Sequence, residues 1–370
     1  MAQTKQQRKM ITKSKSMLFI CLAVMISIIS CNKNEVDPAI AAIKPKGPKP
    51  AWGPTITPQM QTVIEKLESY GTPPLHTLTP EQARKAPSPA DAAMEVMKDF
   101  KIPPPPVKVD TMGKDIPVDK GQIHLRIYTP KTGKTVYPVI VYYHGGGWVI
   151  ANLNTYNASA QALAEQVDAV VVSVAYRQAP EYKFPIAHND SYAAYLWTLQ
   201  NAATIKGDSK RIAVAGESAG GNLAASVSMM ARDKGVMLPL HELLVYPIAN
   251  YDFNTPSYVK YQSAKPLNKP LMLWFFDKYL NNSSDGNDPR ISLVKANLKG
   301  MPPTTIIAAE IDPLASEGEM LADKLKAATV PVTYKKYIGV THEFFGMAAI
   351  ITEAKLAQDL AAKELKKALK

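Results

Sequence analysis

Between residues 139 and 338 the chain repeats one pattern: a short, nearly uninterrupted apolar run, then a longer stretch in which apolar residues recur every three or four positions. The runs at 139–143, 169–175, 212–215, 243–246, 304–309 and 332–338 predict strands buried on both faces. The stretches near 154–166, 190–204, 218–232 and 317–328 predict the helices between them. Such alternation implies a mostly parallel sheet covered by helices on both sides. Two further strands, near 107–112 and 121–128, precede it and read as an antiparallel pair.

Upstream of the sheet, Met60, Val63, Ile64, Leu67 and Tyr70 recur at helical spacing. A second helix is predicted to start at Ser88-Pro89, with Ala90, Ala93, Met94 and Met97 on one face. Residues 59–105 therefore read as an N-terminal helical cap, closed by the run Pro103 to Pro106, and 106–370 as the main α/β domain. Near 249–280 the alternation gives way to a Tyr-, Pro- and aromatic-rich stretch, expected to add a second cap segment. Residues 31–58 are polar and proline-rich and read as an extended tether.

The first thirty residues differ again. Lys5, Arg8, Lys9, Lys13 and Lys15 precede an apolar run, 17–29, that is shorter than the roughly 20 residues of a comfortable membrane span. Its ending, Ile28-Ile29-Ser30-Cys31, resembles a bacterial lipobox, which implies a signal peptide over 1–30, cleavage before Cys31 and lipidation of that cysteine. An uncleaved anchor is the alternative. Cys21 would leave with the signal, so a free thiol and a disulfide are both excluded from the mature chain, and with them cysteine catalysis and thiolate metal sites. Loss of the five basic residues takes the net charge from +11 to 11 − 5 = +6. The remaining lysines are scattered or lie on a C-terminal helix opposite a Leu356/Leu360/Leu365 stripe; they read as a solvated face, with no nucleic-acid surface expected.

Candidate chemistry centres on Gly216-Glu217-Ser218-Ala219-Gly220-Gly221, placed where an apolar strand turns into a helix. A serine hydroxyl becomes nucleophilic only when a base takes its proton, and G-x-S-x-G at a tight strand-to-helix turn projects it for that purpose. A second glycine cluster, His144-Gly145-Gly146-Gly147, follows the run 139–143. There the backbone can approach a ligand closely, and its N–H groups, with that of Ala219, can hold a developing oxyanion. His241 and His342 are the histidines after Ser218; His342, after the last strand, is the expected base, whereas His241 precedes an internal strand and reads as structural. Asp312, directly after 304–309, is the expected orienting acid, with Glu310 its competitor. His342-Glu343-Phe344-Phe345-Gly346 begins like a zinc motif but has glycine at the second histidine position, so no metal site is expected; no G-x-x-x-x-G-K-[ST] nucleotide loop occurs.

Together with Tyr176-Arg177-Gln178-Ala179-Pro180-Glu181, Asp288-Pro289-Arg290 and Asp312-Pro313-Leu314, these motifs resemble the hormone-sensitive-lipase-like esterases of the α/β-hydrolase superfamily over roughly residues 58–350. The resemblance implies an α/β-hydrolase fold with an eight-stranded, mostly parallel sheet, a helical cap, and cofactor-free hydrolysis of small carboxylic esters, usually of short acyl chains. It supports Ser218, Asp312 and His342 as a catalytic triad, with oxyanion donors at Gly145, Gly146 and Ala219. Glu217 replaces the aspartate frequent before the nucleophile, and Ser316 stands where many relatives carry a second aspartate. An amidase or peptidase on the same fold, or a surface-binding protein without catalysis, are the alternative readings. Trp148, Tyr251, Trp274 and Phe275 are candidates for pocket walls or for plain packing, and the sequence sets no oligomeric state.

Overall fold

The computed structural model of the protein describes residues 38–370; the expected signal segment 1–30 and Cys31 lie outside the described residues. Among the described residues no helix is long and apolar enough to cross a membrane.

Eight strands form a single sheet: β1 Val109–Val118, β2 Gly121–Pro130, β3 Tyr137–Tyr143, β4 Val170–Ala175, β5 Gly207–Glu217, β6 Glu242–Val245, β7 Thr304–Ile311 and β8 Val332–Thr341. Their order is β1-β2-β4-β3-β5-β6-β7-β8. The hairpin β1–β2 is antiparallel and joins β4 antiparallel; every other pairing is parallel, as the continuous apolar runs predict. Alternate side chains of the central strands enter two cores. Val139, Val141, Tyr143 and Val214 share one core with the helices Ile186–Asn201 and Ala219–Asp233, which cover β3 and β5 on that face, while Ala315–Ala327 covers β7 and β8. Ile140, Tyr142, Ala213 and Ala215 face Asn157–Val167 and Thr352–Ala368 on the other side. This two-sided burial leaves the strand ends as the places where the backbone can serve a ligand.

Three expectations are corrected. Residues 43–57 are not a free tether: Ile43 and Ile56 are fully buried, Thr57 N–H donates to the Gly339 carbonyl, and the Thr55 hydroxyl donates to Glu310. A few apolar residues among the prolines are enough to seat the segment against β7 and β8. On the helix Pro89–Asp99 the buried face is Ala92, Ala93 and Val96, while Met94 is exposed. The C-terminal helix Thr352–Ala368 is seated by Ala354, Ala357, Ala361, Ala362 and Leu365, with Leu356 in solvent. In both helices small alanines make up most of the buried face, beside Val96 in one and Leu365 in the other, while Met94 and Leu356 turn outward.

The helix Pro58–Ser69 buries Met60, Val63 and Ile64 as its spacing predicts. A further short helix, Pro80–Lys85, carries a complete capping box between Thr79 and Gln82. The region 249–280 contributes the helices Pro256–Lys260 and Lys269–Tyr279.

Candidate active site

Four strand ends meet at one rim of the sheet. Ser218 follows β5, Asp312 follows β7, His342 follows β8, and the loop His144 to Gly147 follows β3. Ser218 Oγ lies 2.9 Å from His342 Nε2, and His342 Nδ1 lies 2.6 Å from Asp312 Oδ2. The other carboxylate oxygen of Asp312 accepts from the Leu314 N–H at 2.8 Å, which fixes the plane of the carboxylate. All three side chains are buried. With Asp312 on Nδ1, that nitrogen carries the proton and Nε2 is left to accept from the serine.

Local backbone geometry explains the placement. Ser218 sits at φ +57° and ψ −119°, a conformation that costs a side-chain-bearing residue about 1–3 kcal/mol and survives only where its surroundings impose it. Here the Ser218 N–H donates to the Val245 carbonyl of β6, and its own carbonyl accepts from Ile248 and Asn222. Glycine is obligatory beside it: a Cβ at Gly220 would collide with the carbonyl oxygens of Tyr143 and His144, and one at Gly216 with that of Gly220. The elbow and the glycine loop therefore touch directly. The helix Ala219–Asp233 starts there, so the Ala219 N–H has no acceptor within the helix and faces the same rim.

The loop itself is strapped from behind. Gly146 and Gly147 have φ of +95° and +58°. Gln178 donates to the carbonyls of Ile150 and Ala151, Ala179 N–H to that of Trp148, and Arg84 to that of Val149. Arg84 is in turn paired with Glu181, and Arg177 is bidentate to Asp190. Tyr176 stacks on His144 at 4.4 Å and donates to its carbonyl. Burial pushes the His144 imidazole down to about 4, so it stays neutral at the rim. The Tyr176 to Glu181 motif thus acts as a brace for the glycine loop.

The competing sequence candidates have other duties. Glu310 accepts from Thr55 and from the Gly339 N–H, and His241 bonds the Thr305 hydroxyl, so neither reaches Ser218. Ser316 and Ser257 exchange N–H-to-hydroxyl bonds that tie the segment after Asp312 to the helix Pro256–Lys260. Of the aromatic wall candidates, Trp148 stacks on Tyr279 at 4.5 Å, Phe275 packs against Gly147, and Tyr251 meets Phe276 edge-on at 5.0 Å. They support the loop as packing.

A cleft of about 650 Å³ lies beside the rim, with Gly146, Tyr156 and Glu343 among its lining residues. Its outer walls are the helices Pro80–Lys85 and Pro89–Asp99, through Arg84, Asp91, Met94 and Glu95. Sequence reasoning notes Glu217 as a departure from the family pattern but misses the polar partners that surround it behind the triad. Glu217 is buried with its carboxyl accepting from Tyr142 at 2.5 Å and from Tyr246, and burial pushes it up to about 7. Tyr246 also packs on the His342 ring, 4.4 Å between centroids. Glu343 accepts from the Tyr156 hydroxyl at 2.6 Å. The one available signal was positional: each glutamate adjoins a triad member in sequence, Glu217 before Ser218 and Glu343 after His342. Among the described residues no group of three or more His, Cys, Asp or Glu side chains is placed to hold a metal ion.

A serine on a strained strand-to-helix turn, followed in chain order by an acid and a histidine from later strands of the same sheet, defines the α/β-hydrolase class. The chain belongs to the alpha/beta hydrolase fold family, whose model matches residues 140–346. It is 35% identical over 288 residues to the carboxylesterase NlhH of Mycobacterium tuberculosis, covering 75% of this chain and 89% of that protein. It is 38% identical over 253 residues to the carboxylic ester hydrolase LipN of the same organism, covering 66% and 67%. The thermostable esterase from Pseudomonas putida superposes with a TM-score of 0.79 at 32% identity, covering 86% of this chain and 98% of its own.

Proposed function

We propose that this protein is a carboxylic ester hydrolase working through an acyl-enzyme on Ser218. The observation that carries the reading is the His342 imidazole, hydrogen-bonded on one side to Ser218 Oγ and on the other to the buried Asp312 carboxylate. Ser218 Oγ bonds to the ester carbonyl carbon as its proton moves to Nε2, and the carbonyl oxygen, now an anion, accepts from the N–H groups of Gly145, Gly146 and Ala219. The imidazolium then gives that proton to the departing alcohol. A water molecule repeats the sequence on the acyl carbon and releases the acid. None of these steps requires a cofactor, and the relatives' esterase names support the ester over the amide.

Short acyl chains fit best, because a carboxylate and a tyrosine hydroxyl line the cleft together with Gly146. A long alkyl chain laid there would desolvate them without replacing their hydrogen bonds. The helices over residues 59–105 serve as the cap that bounds this cleft, through Arg84, Asp91, Met94 and Glu95. Across p-nitrophenyl esters of increasing length, acetate and butyrate should exceed decanoate in kcat/KM by roughly tenfold or more. The matched anilides should be turned over far more slowly, and a preference for the amide would reject the esterase reading.

Residues 1–31 support export and anchoring: a basic start, a short apolar run and Ile28-Ile29-Ser30-Cys31 suit a lipoprotein signal cleaved before a lipidated Cys31 in a bacterial envelope. The full chain should then incorporate labelled fatty acid and lose it in Cys31→Ser. Equal labelling of both would place the anchor elsewhere.

A further inference from the structure

Glu343 occupies an unusual position for a carboxylate that the steps above do not use. Its Oε1 lies 3.9 Å from His342 Nε2, the nitrogen that faces Ser218 Oγ. That oxygen is fixed by the Tyr156 hydroxyl, which donates to it at 2.6 Å. Tyr156 in turn lies against Gly145, where a Cβ would collide with its hydroxyl, so the carboxylate is referenced to the glycine loop as well as to the histidine. The Glu343 backbone has φ +72°, a left-handed conformation that a non-glycine residue holds only where its surroundings enforce it. The side chain is 20% exposed and lines the cleft, as does Gly146. It is neither a paired surface charge nor a sealed core group.

The 3.9 Å separation is too long for a direct hydrogen bond. It suits one water oxygen at about 2.8 Å from both atoms. We propose that Glu343 is a further catalytic residue of the deacylation half-reaction, holding the attacking water between its Oε1 and His342 Nε2. The proposal rests on the acyl-enzyme reading above. In the step, the water oxygen bonds to the acyl carbon as one of its protons passes to Nε2. Its second O–H donates to Oε1 throughout and stays on the acid formed. The imidazolium then returns its proton to Ser218 Oγ as the ester bond to the serine breaks.

The two halves of the cycle differ in what they offer this carboxylate. Entering water carries two O–H groups, one for each acceptor. A departing phenolate carries none and receives its single proton from Nε2, so Glu343 has nothing to accept from it. The effect of Glu343 is therefore concentrated in deacylation. Its carboxylate charge beside the imidazole favours the protonated ring in both halves, which makes a better base and a poorer acid and partly cancels.

The test is stopped-flow and steady-state kinetics of the whole enzyme, wild type and Glu343→Gln, with p-nitrophenyl acetate. The expected result for the variant is kcat and KM lowered together by roughly tenfold or more, as for a lost hydrogen bond to a charged group. Because kcat/KM reports only steps through acylation, it should stay within about threefold, and a nitrophenol burst approaching one per active site should precede the slowed turnover. Tyr156→Phe keeps the carboxylate but releases it, and should show the same split to a smaller degree. Equal loss of kcat and kcat/KM without a burst, or no loss of either, overturns the proposal. Failure of the acyl-enzyme reading looks different: the wild type itself would show no turnover that depends on Ser218.

Discussion

Replacing Ser218 by alanine lowers kcat/KM toward p-nitrophenyl acetate by about 10⁴-fold or more. The size follows from the role: without Oγ there is no atom to carry the acyl group, and what remains is the contribution of the oxyanion cradle and of binding. The fold should be untouched. The turn at φ +57° is enforced by backbone bonds to Val245, Ile248 and Asn222, none of which uses the hydroxyl. An unchanged melting profile in the inactive variant separates lost chemistry from lost structure. Activity above about one-tenth of wild type, an order of magnitude that no serine nucleophile would leave, would move the nucleophile elsewhere.

Asp312→Asn should cost about 10⁴-fold in kcat at neutral pH. The amide is nearly isosteric, but its NH₂ can donate to Nδ1, which favours the tautomer with the proton on Nε2, where Ser218 needs an acceptor. The pH profile should move as well. Burial of the His342 imidazole works against its charge, yet the Asp312 carboxylate outweighs that, with Glu343 and Glu217 adding to it, and holds its pKa above the ordinary histidine value. The active form is the neutral base, so the acid limb of wild-type kcat/KM should lie above that ordinary value. Removing the Asp312 charge should shift the limb to lower pH. A limb that stayed in place would show that Asp312 does not set the proton affinity of the base.

What the sequence made legible follows from how local each signal was. The runs in β3 to β7 are buried on both faces, as strands between two helical layers must be, whereas the edge strand β8 carries Lys335 and Lys336 and leaves Ile338 in solvent. Ser218, Asp312 and His342 are far apart in the chain, yet each directly follows a strand, and parallel strands deliver such residues to one rim. The failures share a cause. Alanine faces such as Ala354, Ala357 and Ala361 carry little hydrophobic contrast, so the Leu356/Leu360/Leu365 stripe stands out in the sequence although only Leu365 of it is buried. Ile43 and Ile56 were lost among prolines, although two buried isoleucines suffice to pin a short segment. The Tyr156–Glu343 contact joins residues 187 positions apart, and nothing in the spacing of either announces the other.

The most direct test of the central claim is active-site labelling of the purified enzyme with a fluorophosphonate, followed by peptide mass spectrometry. The account predicts one label per chain, on Ser218, with activity lost in proportion and Ser218→Ala left unlabelled. A fully active enzyme that takes no label, or takes it on another residue, would contradict it.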